Sequence, residues 1–323
     1  VTFVLSWNTS MRGAGMPNSV TNIGVGAFQG CPLESITLPF VGTSRTTSST
    51  VSSGSSSSLG GTTLFGYVFG GEHYKYGTYT TEPSGYPSSN GSLIYQGQRY
   101  SHTIWNRNSN GSSYYDYYFS MYYIPSTLKT VIITDATEIS ANAFYGCTMI
   151  ESLTLNEGIT AIYDKAFYNC TALKSMSLPS SVAEVGSYAF YECGNMASIT
   201  LSNLAKINDH TFYGCSSLTG ITLPETLTEI EEYAFYGCLG LGRIIIPNSV
   251  TSICGYAFAN CKAMSSVTLS CELDYIGTYA FSNCEGLTTI ALPNKLTSIY
   301  SFAFDNCTAL TELKVPNSVT SIG

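Results

Sequence analysis

One short motif recurs along the chain at nearly constant spacing. It consists of Ala-Phe followed by a Cys three residues after the Phe, and in one copy Thr211 replaces the Ala. The phenylalanines of the motif are Phe28, Phe144, Phe167, Phe190, Phe212, Phe235, Phe258, Phe281 and Phe304. From Phe144 onward they are 23 residues apart, except for one step of 22. A period of roughly 20 to 50 residues is typical of an array of one supersecondary unit.

Each repeat, called a rung below, begins with a segment that predicts a β-strand. In one copy Met176 and Leu178 alternate with serines, which is the pattern of a short strand with one buried face. Proline follows this segment in many rungs and ends the hydrogen-bonded ladder there, because it lacks an N–H. These prolines are Pro39, Pro179, Pro224, Pro247, Pro293 and Pro316.

A second apolar pair, such as Val182 and Val185, leads from the strand to the Ala-Phe segment, which is long enough for about one helical turn. The position two residues after the Phe, Phe+2, is Gly or Asn in every copy except Glu192. Gly and Asn tolerate the left-handed backbone that closes a helix C-terminus. A rung is therefore predicted to contain a strand, a corner and a short return.

A single rung carries too few apolar side chains to offset the entropy of ordering its own backbone. Rungs must therefore stack, with parallel strands pairing between neighbours and equivalent residues about 4.8 Å apart. The predicted fold is an α/β repeat solenoid. It would be a right-handed superhelix with a parallel β-sheet on one face and short helical or irregular returns on the other.

The stretch from Leu218 to Cys238 resembles the BspA-like class of leucine-rich repeats, and the same pattern covers residues 17–39 and 124–323. Members of that class occur on the surfaces of host-associated bacteria and of some protozoan parasites. The resemblance implies a leucine-rich-repeat fold and a secreted or surface-anchored array, and several members are linked to adhesion. The class has no catalytic residues to carry over.

Residues 40–123 interrupt the period and divide the chain into N-terminal rung material at 1–39, an insertion, and contiguous repeats at 124–323. Residues 43–61 form a Ser/Thr/Gly tract, whose composition predicts disorder. The repeats stop at Gly323 midway through a rung, so we expect the array to continue in a longer protein.

Residues 64–123 of the insertion hold 13 of the 25 tyrosines. One interpretation is that it rejoins the solenoid as an irregular rung, with residues 64–69 replacing the Ala-Phe return and the tyrosines filling around it. The alternative is a projecting binding loop, because tyrosine supplies a large contact area with few rotamers to freeze. In that alternative the candidate partner-binding residues are Tyr114, Tyr115, Tyr117, Tyr118, Tyr122 and Tyr123.

Nine of the 11 cysteines share one repeat position and should form a buried ladder of free thiols that pack as small apolar groups. No C-x-x-C pair is present, so we predict no metal site. Cys254 and Cys271 lie off the ladder and are the candidates for an isolated disulfide or a free thiol. The ladder cysteines are Cys31, Cys147, Cys170, Cys193, Cys215, Cys238, Cys261, Cys284 and Cys307.

The sequence contains no recognisable motif for catalysis or for cofactor binding. His73, His102 and His210 are the only histidines, and His210 occupies a repeat position that other rungs fill with Tyr. Nucleophile-elbow, Walker and zinc-protease motifs are all missing. We therefore predict a protein that is not an enzyme and carries no cofactor.

Charge and composition limit the partners. The net charge is −8, and there is no cluster of Lys and Arg to neutralise nucleic-acid phosphates. No apolar run is long enough to span a bilayer. Only 11% of residues are charged, and a surface kept wet by Ser, Thr, Asn and Tyr suits an extracellular or cell-surface location. The expected partner is an extracellular protein or glycan.

The two faces of the predicted solenoid differ in residue type. Outward positions of the strands are nearly all Ser and Thr, whereas positions Phe−2 and Phe+1 of the return are often Tyr. These tyrosines are interpreted as stacked rings that cover the edges of the rungs, or alternatively as a stripe that stacks on sugars or host protein, since interface hot spots are enriched in Tyr, Trp and Arg. Adhesion to host or microbial proteins through many weak contacts is the first functional hypothesis. Glycan or mucin binding through the tyrosines and a passive surface spacer are the alternatives.

Overall fold

In a computed structural model the chain coils into a parallel-strand solenoid of about 10 turns. The structure describes Leu5 and residues 7–42, 65–69, 71–76, 100–107, 113–122 and 124–323. For 71–76, 100–107 and 113–122 it describes the backbone. The predicted leucine-rich-repeat solenoid is confirmed. Within the described ranges, no helix has the length and apolar character needed to cross a bilayer.

The predicted strands form the first parallel ladder, on what we call the strand face. Alternate residues of these strands are buried, as in Ser175–Ser177, where Met176 lies inside and both serines face solvent. One bridge, Thr200 to Thr222, continues the ladder between its two groups of strands. In chain-order numbering the strands are β1 (Gly13–Gly15), β2 (Ser35–Leu38), β6 (Thr130–Ile133), β8 (Ser152–Thr154), β10 (Ser175–Ser177), β12 (Ser198–Thr200), β15 (Arg243–Ile245), β17 (Ser266–Thr268) and β19 (Thr289–Ile290).

From Glu138 onward each rung also contributes to a second parallel ladder, which the sequence did not reveal. Its two-residue strands place one apolar residue inward, as Ile230 and Ile253 do in adjacent rungs. The strands are β7 (Glu138–Ile139), β9 (Ala161–Ile162), β11 (Glu184–Val185), β13 (Lys206–Ile207), β14 (Glu229–Ile230), β16 (Ser252–Ile253), β18 (Tyr275–Ile276), β20 (Ser298–Ile299) and β21 (Ser321–Ile322).

The return is a pair of turns and not a helix. Left-handed backbone occurs at Phe+2, as predicted, and also at Phe−2, where Tyr188 has φ 59° and Tyr233 has φ 55°. Two left-handed residues four positions apart interrupt any α-helix. Their N–H groups point to the next rung, where Tyr188 N donates to Asp209 O at 3.0 Å. Hydrogen bonds between rungs therefore replace the missing helical ones.

Two features show how the insertion connects to the solenoid. Strand β2 pairs directly with β6, so Ser35 lies beside Thr130 although 95 positions separate them. The return of the β2 rung is a 3-10 helix, Phe65–Phe69, with Phe65 and Phe69 fully buried. Residues 65–69 thus replace the Ala-Phe return, as the first interpretation of the insertion had it.

The remaining described part of the insertion is an antiparallel sheet of three strands. It contains β3 (Gly71–Tyr76), β4 (Tyr100–Arg107) and β5 (Ser113–Tyr122), with β5 in the middle. Lys75 and Tyr100 both lie in register with Tyr118, and β4 shifts its register between His102 and Asn106. The tyrosine-rich segment therefore contains a sheet of its own, and neither interpretation of the insertion predicted one.

The motif also extends further toward the N-terminus than the sequence indicated. Leu5 N donates to Ala27 O at 2.7 Å and Trp7 N donates to Gln29 O at 2.6 Å, which are the bonds that a Phe and a Phe+2 residue make to the following rung. Trp7 has the matching left-handed φ of 67°. Leu5 therefore stands in the Phe position of a preceding return.

Candidate binding surface

The interior of the return is a column of stacked phenylalanines. From Phe144 to Phe304 neighbouring ring centroids are 5.2–5.6 Å apart, with planes within 15° of parallel. Phe65 and Phe69 continue the column to Phe28. The rings of the column are Phe144, Phe167, Phe190, Phe212, Phe235, Phe258, Phe281 and Phe304, of which only Phe304 is partly exposed. This column fixes the spacing between equivalent side chains on the outer side of the return.

The ladder cysteines lie beside the column and are free thiols. They do more than pack as apolar groups, because their Sγ atoms donate hydrogen bonds to the Phe carbonyl of the preceding rung. Phe167 O, for example, accepts from Cys170 N at 3.1 Å and from Cys193 Sγ at 3.2 Å. The thiols that make this bond are Cys170, Cys193, Cys215, Cys238, Cys261, Cys284 and Cys307. Cys147, at the same repeat position, is also buried.

Burial makes the ladder thiols unreactive. It raises the pKa of Cys193 and of Cys261 to about 12, so both stay protonated at neutral pH. Off the ladder, Cys271 is exposed and Cys254 is half-buried, and both are free. Of the two alternatives for this pair, a bridge or a free thiol, the structure has free thiols.

Two rows of rings stand outside the column on the return side. The first aromatic row occupies Phe+1, with centroids 4.6–4.7 Å apart and planes within 10° of parallel, and it consists of Tyr145, Tyr168, Tyr191, Tyr213 and Tyr236. The second aromatic row occupies Phe−2, with centroids 4.4–4.8 Å apart, and it consists of Tyr188, His210, Tyr233, Tyr256, Tyr279 and Phe302. His210 therefore stacks within a row of tyrosines, as predicted.

The two rows adjoin and make one surface, called the aromatic face below. Tyr188 and Tyr191 are 5.7 Å apart, and His210 and Tyr213 are 5.4 Å apart. Most rings are half-buried, and Phe302 at one end is 57% exposed. Such a surface offers contact area without the cost of ordering side chains on binding.

The environment of the aromatic face favours neutral tyrosines beside acidic groups. Burial raises the pKa of Tyr191 to about 12, and the charges of neighbouring tyrosines and of Glu192 add to the rise. Asp209 Oδ1 lies 2.6 Å from His210 Nδ1. Lys165 lies 5.3 Å above the Tyr188 ring, in a cation–π arrangement. The face is therefore aromatic with a mainly acidic edge.

The strand face lacks comparable anchors on β8, β10 and β12, whereas β15 exposes Arg243 and Ile245. Its outward residues on β8, β10 and β12 are Ser and Thr. The charges beside these three strands are paired between rungs: Glu151 binds Lys174 and also Lys129, the latter at 3.2 Å. Hydrogen bonds from these two lysines lower the pKa of Glu151. Small hydroxyls and neutralised charges give a partner little to bind.

The candidate tyrosines of the insertion lie together in one strand. Tyr114, Tyr115, Tyr117, Tyr118 and Tyr122 all belong to β5, whose backbone the structure describes. Tyr123 lies outside the described residues. Their assignment as partner-binding residues stays a prediction.

No group of three or more His, Cys, Asp or Glu residues within the described ranges is arranged to hold a metal ion. Glu151 is paired with lysines and Asp209 with His210, and the ladder thiols are buried. The geometry that does stand out is the pair of aromatic rows, for which sequence reasoning had identified the positions but not their merging into one face.

Comparisons with known proteins agree with this architecture. Six copies of the BspA type leucine-rich repeat region match residues 4–56, 137–265 and 228–323, well over half of the chain. No match is found among curated proteins.

Several solved structures are similar to this chain. A leucine-rich repeat protein from Bacteroides ovatus is 34% identical, with a TM-score of 0.50 over 51% of this chain and 43% of its own length. A T. pallidum leucine-rich repeat protein is 35% identical, with a TM-score of 0.46 over 48% of this chain and 72% of its own. A leucine-rich cell surface protein from Faecalibacterium prausnitzii is 29% identical, with a TM-score of 0.41 over 60% of this chain and 55% of its own.

The chain thus spans less than half the length of the Bacteroides ovatus protein. Repeat period, rung geometry and the matching family model converge on one assignment: the chain belongs to the BspA-type family of leucine-rich repeat proteins.

Proposed function

We propose that this chain is a non-enzymatic interaction module, secreted or displayed at a cell surface, that adheres to host or microbial proteins through its aromatic face. The observation that carries the proposal is the merging of two rows of half-buried stacked rings into one surface. Tyrosine-rich surfaces of this kind are typical of protein–protein recognition. The low share of charged residues, 11%, supports an extracellular location.

Backbone strain beneath the second aromatic row also supports a binding role. Left-handed backbone is costly for bulky residues, on the order of 1–3 kcal/mol each. Tyr233, Tyr256 and Tyr279 nevertheless adopt it, with φ of 55–57°. Asn would adopt this left-handed conformation at lower cost, and Asn142 does so at the equivalent position of a rung nearer the N-terminus. Retaining Tyr there favours a role for the rings themselves.

The tyrosines of β5 are proposed as a second contact region. Tyr114, Tyr115, Tyr117, Tyr118, Tyr122 and Tyr123 are concentrated in ten residues. Two separate contact regions on one chain would suit adhesion by many weak contacts.

The test is binding of the whole chain to a panel of immobilised extracellular-matrix and microbial surface proteins. Changing Tyr213 and Tyr236 to Ser should weaken binding by about tenfold, because each ring offers a contact worth on the order of 1 kcal/mol. The matched control changes Thr200 and Thr222 of the strand face to Ala and should bind as the parent does.

Equal binding by both double variants would remove the aromatic face from the proposal. A parallel variant with Tyr114, Tyr115, Tyr117 and Tyr118 changed to Ser tests the insertion in the same way. If the protein panel is blank and a glycan array gives a signal, the partner is a glycan and the protein-adhesion proposal fails. Blank results on both would instead favour a passive spacer.

A further inference from the structure

A depression of about 290 Å³ lies beside the second aromatic row, at the corner between the return and the second ladder. Its floor is the backbone of Gly255 and Gly277. A Cβ on Gly277 would lie 2.5 Å from the carbonyl carbon of Cys254, so the two rungs touch here and only glycine fits. The depression is therefore built into the stacking of these rungs.

Four tyrosine rings surround this floor. Tyr233 and Tyr256 stack at 4.6 Å on the side of the aromatic face. On the other side Tyr275 and Tyr300 meet edge to face, at 5.7 Å and 74°. Tyr300 is 48% exposed, so its ring forms an open wall of the depression. Both faces of Tyr233 and of Tyr256 are covered by their neighbours in the row, so the ring face open to a ligand is that of Tyr300.

The charge at the depression is negative. Glu232 lies at its rim and makes no ion pair within the described residues. The adjacent Glu229 and Glu231 share a single cation, Lys206, at 2.6 and 3.3 Å. The electrostatic field of these carboxylates extends into the depression. Burial raises the pKa of Cys254, and the charges of Glu229, Glu231 and Glu232 add to the rise. Three carboxylates against one ammonium favour a cationic ligand.

We propose that this depression is a receptor site for an arginine side chain of a partner protein, which would stack on the exposed ring of Tyr300 and pair with Glu232. Ring faces attract a guanidinium by cation–π interaction, and its planar fork matches a carboxylate. The acidity of the chain makes a basic partner surface complementary to it. The inference rests on the proposed function, since it assigns one anchor of the protein partner.

The experiment titrates the whole chain by calorimetry with a blocked pentapeptide of Gly and Ser around one central Arg. The same peptide with citrulline, which keeps the shape and loses the charge, should bind at least about tenfold more weakly. The lysine peptide should bind about fivefold more weakly, because it lacks the planar fork. Equal binding of the arginine and lysine peptides would overturn the assignment of arginine, and no binding of the arginine peptide would overturn the site.

Variants separate this site from general attraction between opposite charges. Glu232→Gln should weaken the arginine peptide about fivefold, whereas Glu225→Gln, an equal charge change at another corner of the same rung, should leave binding unchanged. Tyr300→Leu should weaken it about fivefold as well, and Tyr163→Leu, at the same repeat position in a rung outside the depression, should not. Equal effects of Glu232→Gln and Glu225→Gln would reduce the site to nonspecific electrostatics. Tyr300 and Glu232 are exposed, so both variants should fold, which circular dichroism verifies.

The two proposals fail in distinguishable ways. If Tyr300→Leu and Glu232→Gln leave partner binding intact while the Tyr213 and Tyr236 double variant abolishes it, the arginine site is wrong and the adhesion proposal stands. If the arginine peptide binds as expected but the protein panel is blank, the adhesion proposal is wrong.

Discussion

The strand face and the return face are built from the same rungs and both are joined by backbone hydrogen bonds between rungs, but stacked rings add to these bonds on the return face. On the strand face regular parallel pairing satisfies the backbone, so outward positions such as Ser175 and Thr200 carry small residues with no structural duty. On the return face two left-handed residues break the backbone pattern in each rung. There the stacked rings, inside and outside, share in holding rung to rung.

The difference teaches where side chains are constrained in a repeat array. A face held by its main chain alone can vary freely in sequence, whereas a face that is also held by stacked side chains must repeat those side chains in each rung. The return face therefore displays its stabilising groups to solvent, and the same rings that join the rungs are available to a partner. Under the proposed function, one side of the molecule serves both structure and recognition.

The largest expected effect comes from the buried column under the return face. Phe235→Ala should lower the free energy of unfolding by about 3–5 kcal/mol, since Phe235 is fully buried between two stacked rings. Ser198→Ala on the strand face should change it by less than about 0.5 kcal/mol. Urea titration measures both, and similar losses would mean that the two faces do not differ as described.

A smaller effect is expected for the exposed rings. Tyr256 stacks on Tyr233 and Tyr279, so Tyr256→Ala should cost about 1–3 kcal/mol, at roughly 0.5–1.5 kcal/mol per ring pair. Thr268→Ala is the counterpart on the strand face and should cost less than about 0.5 kcal/mol. If thermal unfolding shows no cost for Tyr256→Ala, the second row serves binding alone.

The smallest effect is a dependence of stability on alkaline pH. Burial raises the pKa of Tyr191 from 10.0 to about 12, so the folded chain holds a proton that the unfolded chain loses. Stability is therefore fully present below pH 10 and falls as the pH rises toward 12.

Urea titrations at several pH values across this window measure the slope, and the ultraviolet absorbance of tyrosinate follows the ionisation. Tyr191→Phe should reduce the slope because it removes one of the titrating groups. A slope that is unchanged in this variant would place the pH dependence elsewhere than in the stacked row.

Sequence reasoning gave the repeat, the first ladder, the buried Phe and Cys positions and the left-handed Phe+2 residue. Each of these repeats a recognisable residue type at fixed phase. The second ladder was missed because its strands are two residues long and alternate over too few positions to give a periodic signal. The left-handed Phe−2 was missed because Tyr188 and Phe302 are not residues that local propensity places there.

For the surface, sequence reasoning gave the ring positions but not their contacts. Stacking within a row follows from a constant period, whereas the 5.4 Å approach of His210 to Tyr213 depends on the turn between them. The depression depends on Gly277 and on which side chains its neighbouring rungs happen to carry. The sequence did not reveal that Leu5 occupies the Phe position of a preceding return, because neither Ala-Phe nor the Cys of the motif is present there.

The corner after the first strand is where rungs differ in length. The rung that contains β12 is one residue shorter between Leu201 and Leu204 than its neighbours. At this rung the second ladder is interrupted, because β11 and β13 belong to separate sheets. Asn208 Nδ2 instead donates a hydrogen bond to Val185 O at 2.7 Å. The long insertion leaves the solenoid at the same corner of the β2 rung. Loops of foreign sequence grafted at this corner in other rungs should therefore be accommodated, with the stacked interior acting as a fixed frame for variable attachments.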